Sequence, residues 1–413
     1  MTVTEATRYT PDWLAQIDPV LLEQELSRDP YPIYARLRED TPIAWVPSMK
    51  MWLVTRWNEV RQVAMDSQHF HGASDPAHMR LFGQGNVLSS EGELHTELRS
   101  FIDPHLRKNR VPAYVDDLVR PIARKVLAGI KDKGRGDIVT EYLEPVSVRA
   151  VGDFLGLKDV PSDQLRRWFY GLGAALVNKG MDEHGNFLVP EPQQHADVIK
   201  AEIRGIVDPI LERVRSQPDN TGLSHWVHDA TLDGKPRSNE FIYPTLFVTL
   251  LGGMQEPGHG AASTLLGLFS RPEQLDAVRG DYSLIDVANH EGFRWISPIG
   301  IYTRRVVGEV EVAGVKLTEG EIIAGSMASA NRDPAQFPDG DDYDLRRPTK
   351  AHMAFNTGAH ACAGRYFGSA IQRIALEEMF DTLPDLARDP EGSPKVHGWF
   401  FRATVNLPVV WRV

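Results

Sequence analysis

The 413-residue chain has one cysteine, Cys362. A single thiol excludes an intramolecular disulfide, so the fold rests on its core, and a reducing compartment is implied. Long apolar runs are also missing: the best candidate, Leu246 to Gly253, is far short of the ~20 residues that span a bilayer. The N-terminal stretch Met1 to Pro11 is polar and lacks the apolar segment of a secretory signal. There is no excess of basic residues. A formal net charge of −11 argues against a general nucleic-acid binder. No Gly/Ser tract, Pro-rich spacer, single-sign charge run or repeat divides the chain. These absences predict a cytoplasmic protein without membrane or nucleic-acid partners, built as a single domain over residues 1–413, against a length prior of two or three domains.

What is present is ordinary globular composition, 42% hydrophobic and 24% charged, with ample apolar material for a core. Helical periodicity dominates. Tyr31 to Glu39 reads as a short helix with Tyr34 and Leu37 inward, capped by Asp29 with Pro30 at its first position. Ile43 to Val46 and Met51 to Val54 read as paired strands, and Trp57 to Ser67 as a helix burying Val60, Val63 and Ala64. Phe70 to Ser90 has no sustained period and reads as a long loop. Helices are predicted at Pro112 to Lys131, Val146 to Leu155, Pro161 to Val177, Gln193 to Arg215 and Gly364 to Thr382. Asn239 to Leu268 reads as one long central helix, apolar on several sides. Pro298 to Ile323 suggests short strands, Asn331 to Thr349 an ordered irregular meander, and Phe400 to Val413 a closing hairpin. The predicted class is mainly α with a minor β portion.

The chemistry concentrates in Phe355-Asn-Thr-Gly-Ala-His-Ala-Cys-Ala-Gly364, which runs straight into the last long helix. Gly358 and Gly364 permit a tight loop and close approach to something flat. Cys362 stands just before a helix N-terminus, where free N–H groups and the macrodipole favour a thiolate. A lone cysteine is more often a small buried hydrophobe. The spacing decides otherwise: Phe355, Gly358, His360, Cys362 and Gly364 match the F-x-x-G-x-H-x-C-x-G haem loop at every fixed position, and the chain resembles the cytochromes P450.

That resemblance implies the P450 fold, with haem b between the long central helix and the helix after the cysteine loop, and Cys362 as ligand to the iron. It extends to Glu291 and Arg294, the family's E-x-x-R pair, which join a meander arginine matching Arg347. By spacing alone that pair would pass for a surface salt bridge. The two haem propionates would be met by His95, Arg99, Arg305 and His360. On the oxygen side, Gly252 and Gly253 would provide a notch and Glu256 the acid. The usual threonine position is Pro257, which removes an N–H and cannot relay a proton. Glu256, with Gln255 and water, is therefore expected to carry protons unaided by an alcohol; the plainer alternative is that Glu256 merely caps a kink.

The Gln255-Glu256-Pro257-Gly258-His259 run, with Leu268 to Gln274, is similar to bacterial P450s that O-demethylate guaiacol-type aromatics. The resemblance implies hydroxylation of an aryl methoxy carbon, giving a catechol and formaldehyde. Its pocket walls would be Phe82, Leu88, Leu176, Val248, Gly252, Ile299, Thr303 and Phe401, although such apolar positions are as often plain core. Leu176 and Tyr302 depart from the guaiacol pattern, the first softening the pocket and the second narrowing it or adding a hydroxyl, so a 4-alkylguaiacol is expected. Electrons would come from a reductase carrying FAD and a [2Fe–2S] cluster, docking on Arg107, Lys108, Arg110 and Arg365, and O2 is the co-substrate. Other readings are a P450 hydroxylase of another small apolar compound, such as a terpene or biosynthetic intermediate, a peroxide-driven peroxygenase, and a non-catalytic haem sensor or carrier.

Overall fold

The computed structural model describes residues 9–72, 75–182, 184–231 and 234–413. Residues 1–8, which carry most of the N-terminal reading, lie outside them, as do residues 73 and 74 of the Phe70 to Ser90 stretch. The chain forms two compact units. One comprises Met1–Ala73, His259–Cys362 and Ala387–Val409; the other comprises Ser74–Gly258, Ala363–Leu386 and Val410–Val413.

The first unit is built on a five-stranded sheet of β1 (Ile43–Val46), β2 (Met51–Val54), β3 (Phe70–Gly72), β4 (Ile301–Val306) and β5 (Ile322–Ser326), in the order β1-β2-β5-β4-β3. β1 and β2 pair antiparallel as the sequence predicts, with Trp45 opposite Trp52 and their rings edge to face. Lys50, at φ 50°, closes the turn between them. The helix Trp57–Met65 turns Val60, Val63 and Ala64 onto this sheet, where they share a core with Trp52, Phe70, Tyr302 and Ile323. Burial of such side chains contributes about 1.5–3 kcal/mol each. The helix Tyr31–Asp40 has Pro30, not Asp29, at its N-cap; Asp29 still accepts the Tyr31 N–H at 3.2 Å from one residue further out. The meander after Asn331 is irregular, as predicted.

Three further expectations fail, the third at the central helix described below. Phe70 to Ser90 is not a structureless loop: its start is β3, and Pro76–Phe82 is a helix capped by Asp75, whose Oδ1 accepts the His78 N–H. Its few turns are too short for periodicity to register. Nor do the last residues close as a hairpin on themselves. Ala403–Asn406 pairs with the preceding Lys395–His397, because Gly398 at φ 92° turns the chain before the run and Pro408 removes a donor after it.

The second unit is helical. Val115–Ala128 buries Val115, Val119, Ala123 and Leu127, a stripe at i, i+4 spacing. This helix is tied to Arg365–Thr382 by Arg120 and Arg124, both bonded to the buried Glu378. Tyr142 adds a hydroxyl bond to the Ala375 carbonyl at 2.7 Å. The Pro76–Phe82, Ser162–Val177 and Asn239–Met254 helices pack on one another. Where Ser162–Val177 packs on Glu191–Ser216, a Cβ at Gly171 would lie 2.1 Å from Ile199 Cδ1, so that side chain would have to turn aside.

The long central helix is not continuous. It ends at Met254 and a second helix, Glu256–Phe269, begins after Gln255. Pro257 has no N–H for the Gly253 carbonyl, and its ring crowds that carbonyl. Ser147 supplies a substitute bond one residue on, its hydroxyl donating to Met254 O at 2.8 Å.

Candidate functional site

The cysteine loop is held by its own backbone. Cys362 N–H donates to Phe355 O at 2.9 Å, Ala361 N–H to Gly358 O at 3.1 Å and Asn356 N–H to Met353 O at 2.7 Å. Gly358 sits at φ 74°, and a Cβ there would lie 2.6 Å from the Ala64 carbonyl. Only glycine fits, as the sequence reading required. The loop is backed by an aromatic wall in which Phe355 lies 4.6 Å from Phe293, with His352 beside both. Cys362 is exposed at the tip of this cradle, and Gly364 and the Arg365–Thr382 helix follow in the chain.

Beside Phe293 in the chain, Arg294 belongs to a buried ion network. Arg294, 1% exposed at its side chain, bonds both oxygens of Glu291 at 2.7 Å and donates to the carbonyls of Asn331, Gly340 and Asp342. Arg347 Nε reaches Glu291 at 3.1 Å. The three residues named from the sequence therefore do meet, and they fix the meander. Breaking such a buried pair costs about 3–5 kcal/mol.

At the helix break in the other unit, Gly252 has open space where a side chain would be. Gly258 is locked in place, since a Cβ would approach Leu143 O at 2.9 Å and Glu144 backbone atoms at 3.1 Å. Between them, both carboxyl oxygens of Glu256 are shut off from solvent, with no hydrogen-bond partner among the described residues. Burial pushes this carboxyl up to about 8, outweighing the opposing pull of the residue's own backbone N–H, which lies short of a formed hydrogen bond. Gln255 is half-buried at the break itself.

The propionate candidates divide between the units. His95, buried, and Arg99 lie one turn apart on the helix Gly92–Leu106, where Arg99 Nε also donates to Asp103 at 2.7 Å. Arg305 on β4 and His360 in the loop belong with Cys362. Of the pocket candidates, Phe82, Leu176, Val248 and Gly252 come from the three mutually packed helices; Phe82 and Leu176 are buried. Leu88 is 42% exposed, its N–H held by Asn86 Oδ1. Ile299 forms a bridge with Phe401 and packs against the core cluster that holds Tyr302, while Thr303 shares the strand face of Ile301 and Arg305. Tyr302 is a correction. It faces the opposite side, and its hydroxyl bonds Val60 O within the core, so it neither narrows the pocket nor offers it a hydroxyl.

Sequence reading missed Ser147 and His352. Ser147 is an unremarked serine until its partner, 107 positions away, is known. Burial, with His290 and Arg294 nearby, pushes His352 down to about 3, and its Nδ1 accepts the Ala354 N–H.

Residues 279–383 match the cytochrome P450 family, a span containing the ion network and the cysteine loop. The cytochrome P450 monooxygenase PikC of Streptomyces venezuelae is 28% identical over 96% of this chain and 94% of its own. The 6-deoxyerythronolide B hydroxylase of Saccharopolyspora erythraea is 27% identical over 95% and 98%. Among solved structures, P450BioI in complex with hexadec-9Z-enoic acid ligated acyl carrier protein superposes with a TM-score of 0.83 at 20% identity, covering 94% of this chain and all of that one.

The family match and these full-length relatives support the cytochrome P450 superfamily for this chain. Its fold is the P450 fold, mainly α with a minor β portion, and it is a monooxygenase that uses O2 and a redox partner. Its cofactor is haem b. The chemistry of the cysteine loop fits that group: Cys362 offers an exposed thiol on a cradle that only glycine at position 358 can shape. No helix of this P450, among the described residues, is long and apolar enough to cross a membrane.

Proposed function

We propose that this P450 hydroxylates a carbon of an apolar compound, with Cys362 as the thiolate ligand to the iron. In this proposal residues 1–413 act as one catalytic domain. The observation that carries an enzyme over a haem sensor or carrier is Glu256, a buried acid with no hydrogen-bond partner among the described residues, beside an open glycine. Haem held by Cys362 would supply activation of O2, one oxygen atom entering a C–H bond and the other leaving as water at the expense of two electrons from the reductase and two protons. The protein must bind substrate, exclude water and deliver protons. Glu256 suits proton delivery, because its raised pKa keeps a proton on Oε at neutral pH, and Gln255 at the break offers an amide to pass it. Phe355 and Gly358 shape the loop, while His95, Arg99, Arg305 and His360 hold the propionates.

The relatives' names, a 6-deoxyerythronolide B hydroxylase among them, favour a hydroxylase of a biosynthetic or other apolar compound. A second reading is O-demethylation of a guaiacol-type aromatic to a catechol and formaldehyde, favoured by the Gln255-Glu256-Pro257 break. In either case Phe82, Leu88, Leu176, Val248, Gly252, Ile299, Thr303 and Phe401 would wall the substrate. With Tyr302 turned away, Leu176 is the remaining departure, and it leaves room for a 4-alkyl substituent. The proposed electron donor is a reductase carrying FAD and a [2Fe–2S] cluster, docking on Arg107, Lys108, Arg110 and Arg365, all exposed.

One assay separates these readings. Holoenzyme, NADH and such a reductase are given a macrolactone, a terpene alcohol, guaiacol and 4-propylguaiacol, with product and formaldehyde both measured. A hydroxylated macrolactone or terpene without formaldehyde supports the first reading, and formaldehyde with a catechol replaces it with the second. Equal turnover with hydrogen peroxide alone would contradict the reductase. Charge reversal at Arg107 and Arg110 should raise the reductase concentration needed for half-maximal rate; an unchanged value would remove the docking patch.

A further inference from the structure

The end of the helix Gly92–Leu106 meets the short helix Gly222–His228 at a place the monooxygenase reaction does not use. His105 stands in the last turn of the first, His225 in the second, and Asp229 follows as its C-cap. Asp229 Oδ2 lies 2.7 Å from His105 Nε2 and 3.2 Å from His225 Nδ1. All three ligand atoms lie within 4.8 Å of one another. The two imidazoles stack, with centroids 3.6 Å apart and 20° between planes. The side chains are 19%, 23% and 36% exposed, so the cluster is screened from bulk water but reachable from it.

Two ring edges converging on one carboxylate oxygen is more than a single hydrogen bond needs. In tetrahedral zinc sites, metal–nitrogen and metal–oxygen bonds of about 2.0–2.2 Å set neighbouring ligand atoms roughly 3.3 Å apart. The two measured distances approach that edge. A cation can enter if the Asp229 carboxylate backs away slightly and the stacked rings splay about χ2. Two imidazoles and one carboxylate suit zinc and its neighbours copper, nickel and cobalt; calcium and magnesium want oxygen ligands instead. The surrounding backbone is already fixed. Asp229 N–H donates to His225 O at 2.8 Å, Arg237 Nη1 donates to Asp229 O at 2.6 Å, and Tyr114 donates to His105 O at 2.9 Å. The Arg237 guanidinium is a nearby cation that opposes a second positive charge, but it is engaged by the carbonyls of Trp226, Asp229 and Ala230.

We propose that His105, His225 and Asp229 form a three-ligand site for a divalent transition-metal ion, zinc by preference, with water completing the tetrahedron. Bound there, the ion fastens the end of one helix to the other. The exposed Arg107, Lys108 and Arg110 follow directly in sequence, so the site braces the base of that basic segment.

The test uses holoenzyme dialysed against micromolar zinc and then metal-free buffer, with zinc and iron measured in the same sample. About one zinc per haem iron is expected in the wild type, and at least tenfold less in His225→Ala and Asp229→Asn. His105→Gln keeps a hydrogen-bonding group toward Asp229 without an imidazole; it should keep the wild-type Soret band and thermal midpoint yet lose the zinc. Zinc, but not magnesium, should raise the wild-type midpoint. A zinc-to-iron ratio near zero in the wild type would overturn the site. So would full zinc retention in all three variants, which would mean that it binds elsewhere.

Discussion

Glu256 is the residue on which the oxygen side of the site turns. Its carboxyl is pushed up to about 8 by burial, so the folded protein holds a proton there that the unfolded chain, with an ordinary value of 4.5, releases. Between those values the native state binds more protons than the unfolded one, and stability must fall as pH rises from about 4.5 through about 8. Glu256→Gln removes that dependence. Thermal midpoints of variant and wild type should converge at low pH, with the variant gaining as pH rises to 8; parallel curves would mean an ordinary acid. His352 acts on the other limb. Its value near 3 means stability is lost as pH falls from about 6.5 toward 3, so the two residues bound the working range from opposite sides. The same Glu256→Gln variant should consume NADH with less product per equivalent. Neither pKa could be read from sequence, because each is set by neighbours distant in the chain.

At the scale of elements, the helix break is the feature that most distinguishes this chain. Pro257 opens it, Ser147 satisfies the Met254 carbonyl, and Gly258 lets the break press against Leu143 and Glu144. The atoms facing Gly258 are backbone and cannot swing aside. Gly258→Ala should therefore cost about 1–3 kcal/mol as an overpacked contact, read as a lower denaturant midpoint, and coupling should fall with it. Unchanged stability would show that the break is not braced as described. Strands β1 and β2, the Trp57–Met65 helix and the helix after the cysteine were legible in sequence because each has a clean period or a strong local signal. The helix break was legible only as a proline, since its partner Ser147 lies on another helix. The Pro76–Phe82 helix was invisible because so short a segment holds too few turns to display a stripe. Tyr302 was misjudged for a different reason: a strand places alternate residues on opposite faces, and which face meets the core is decided by what packs there, here Val60 and Gly325.

At the scale of the whole molecule, the candidate residues divide between two compact units. One holds the cysteine cradle and the Glu291–Arg294–Arg347 network, and the other holds the broken helix with its buried acid. The sequence reached the superfamily because the cysteine loop has fixed residues at fixed spacing, a local property. It did not reach the substrate, because the proposed walls come from separate segments whose shape depends on packing. The central claim is that Cys362 is a thiolate ligand to haem iron, and the ferrous–carbon monoxide difference spectrum tests it most directly. The wild type should show the strongly red-shifted Soret band of a thiolate-ligated haem, and Cys362→His should bind haem without that shift. A red-shifted band that survives in Cys362→His would contradict the account.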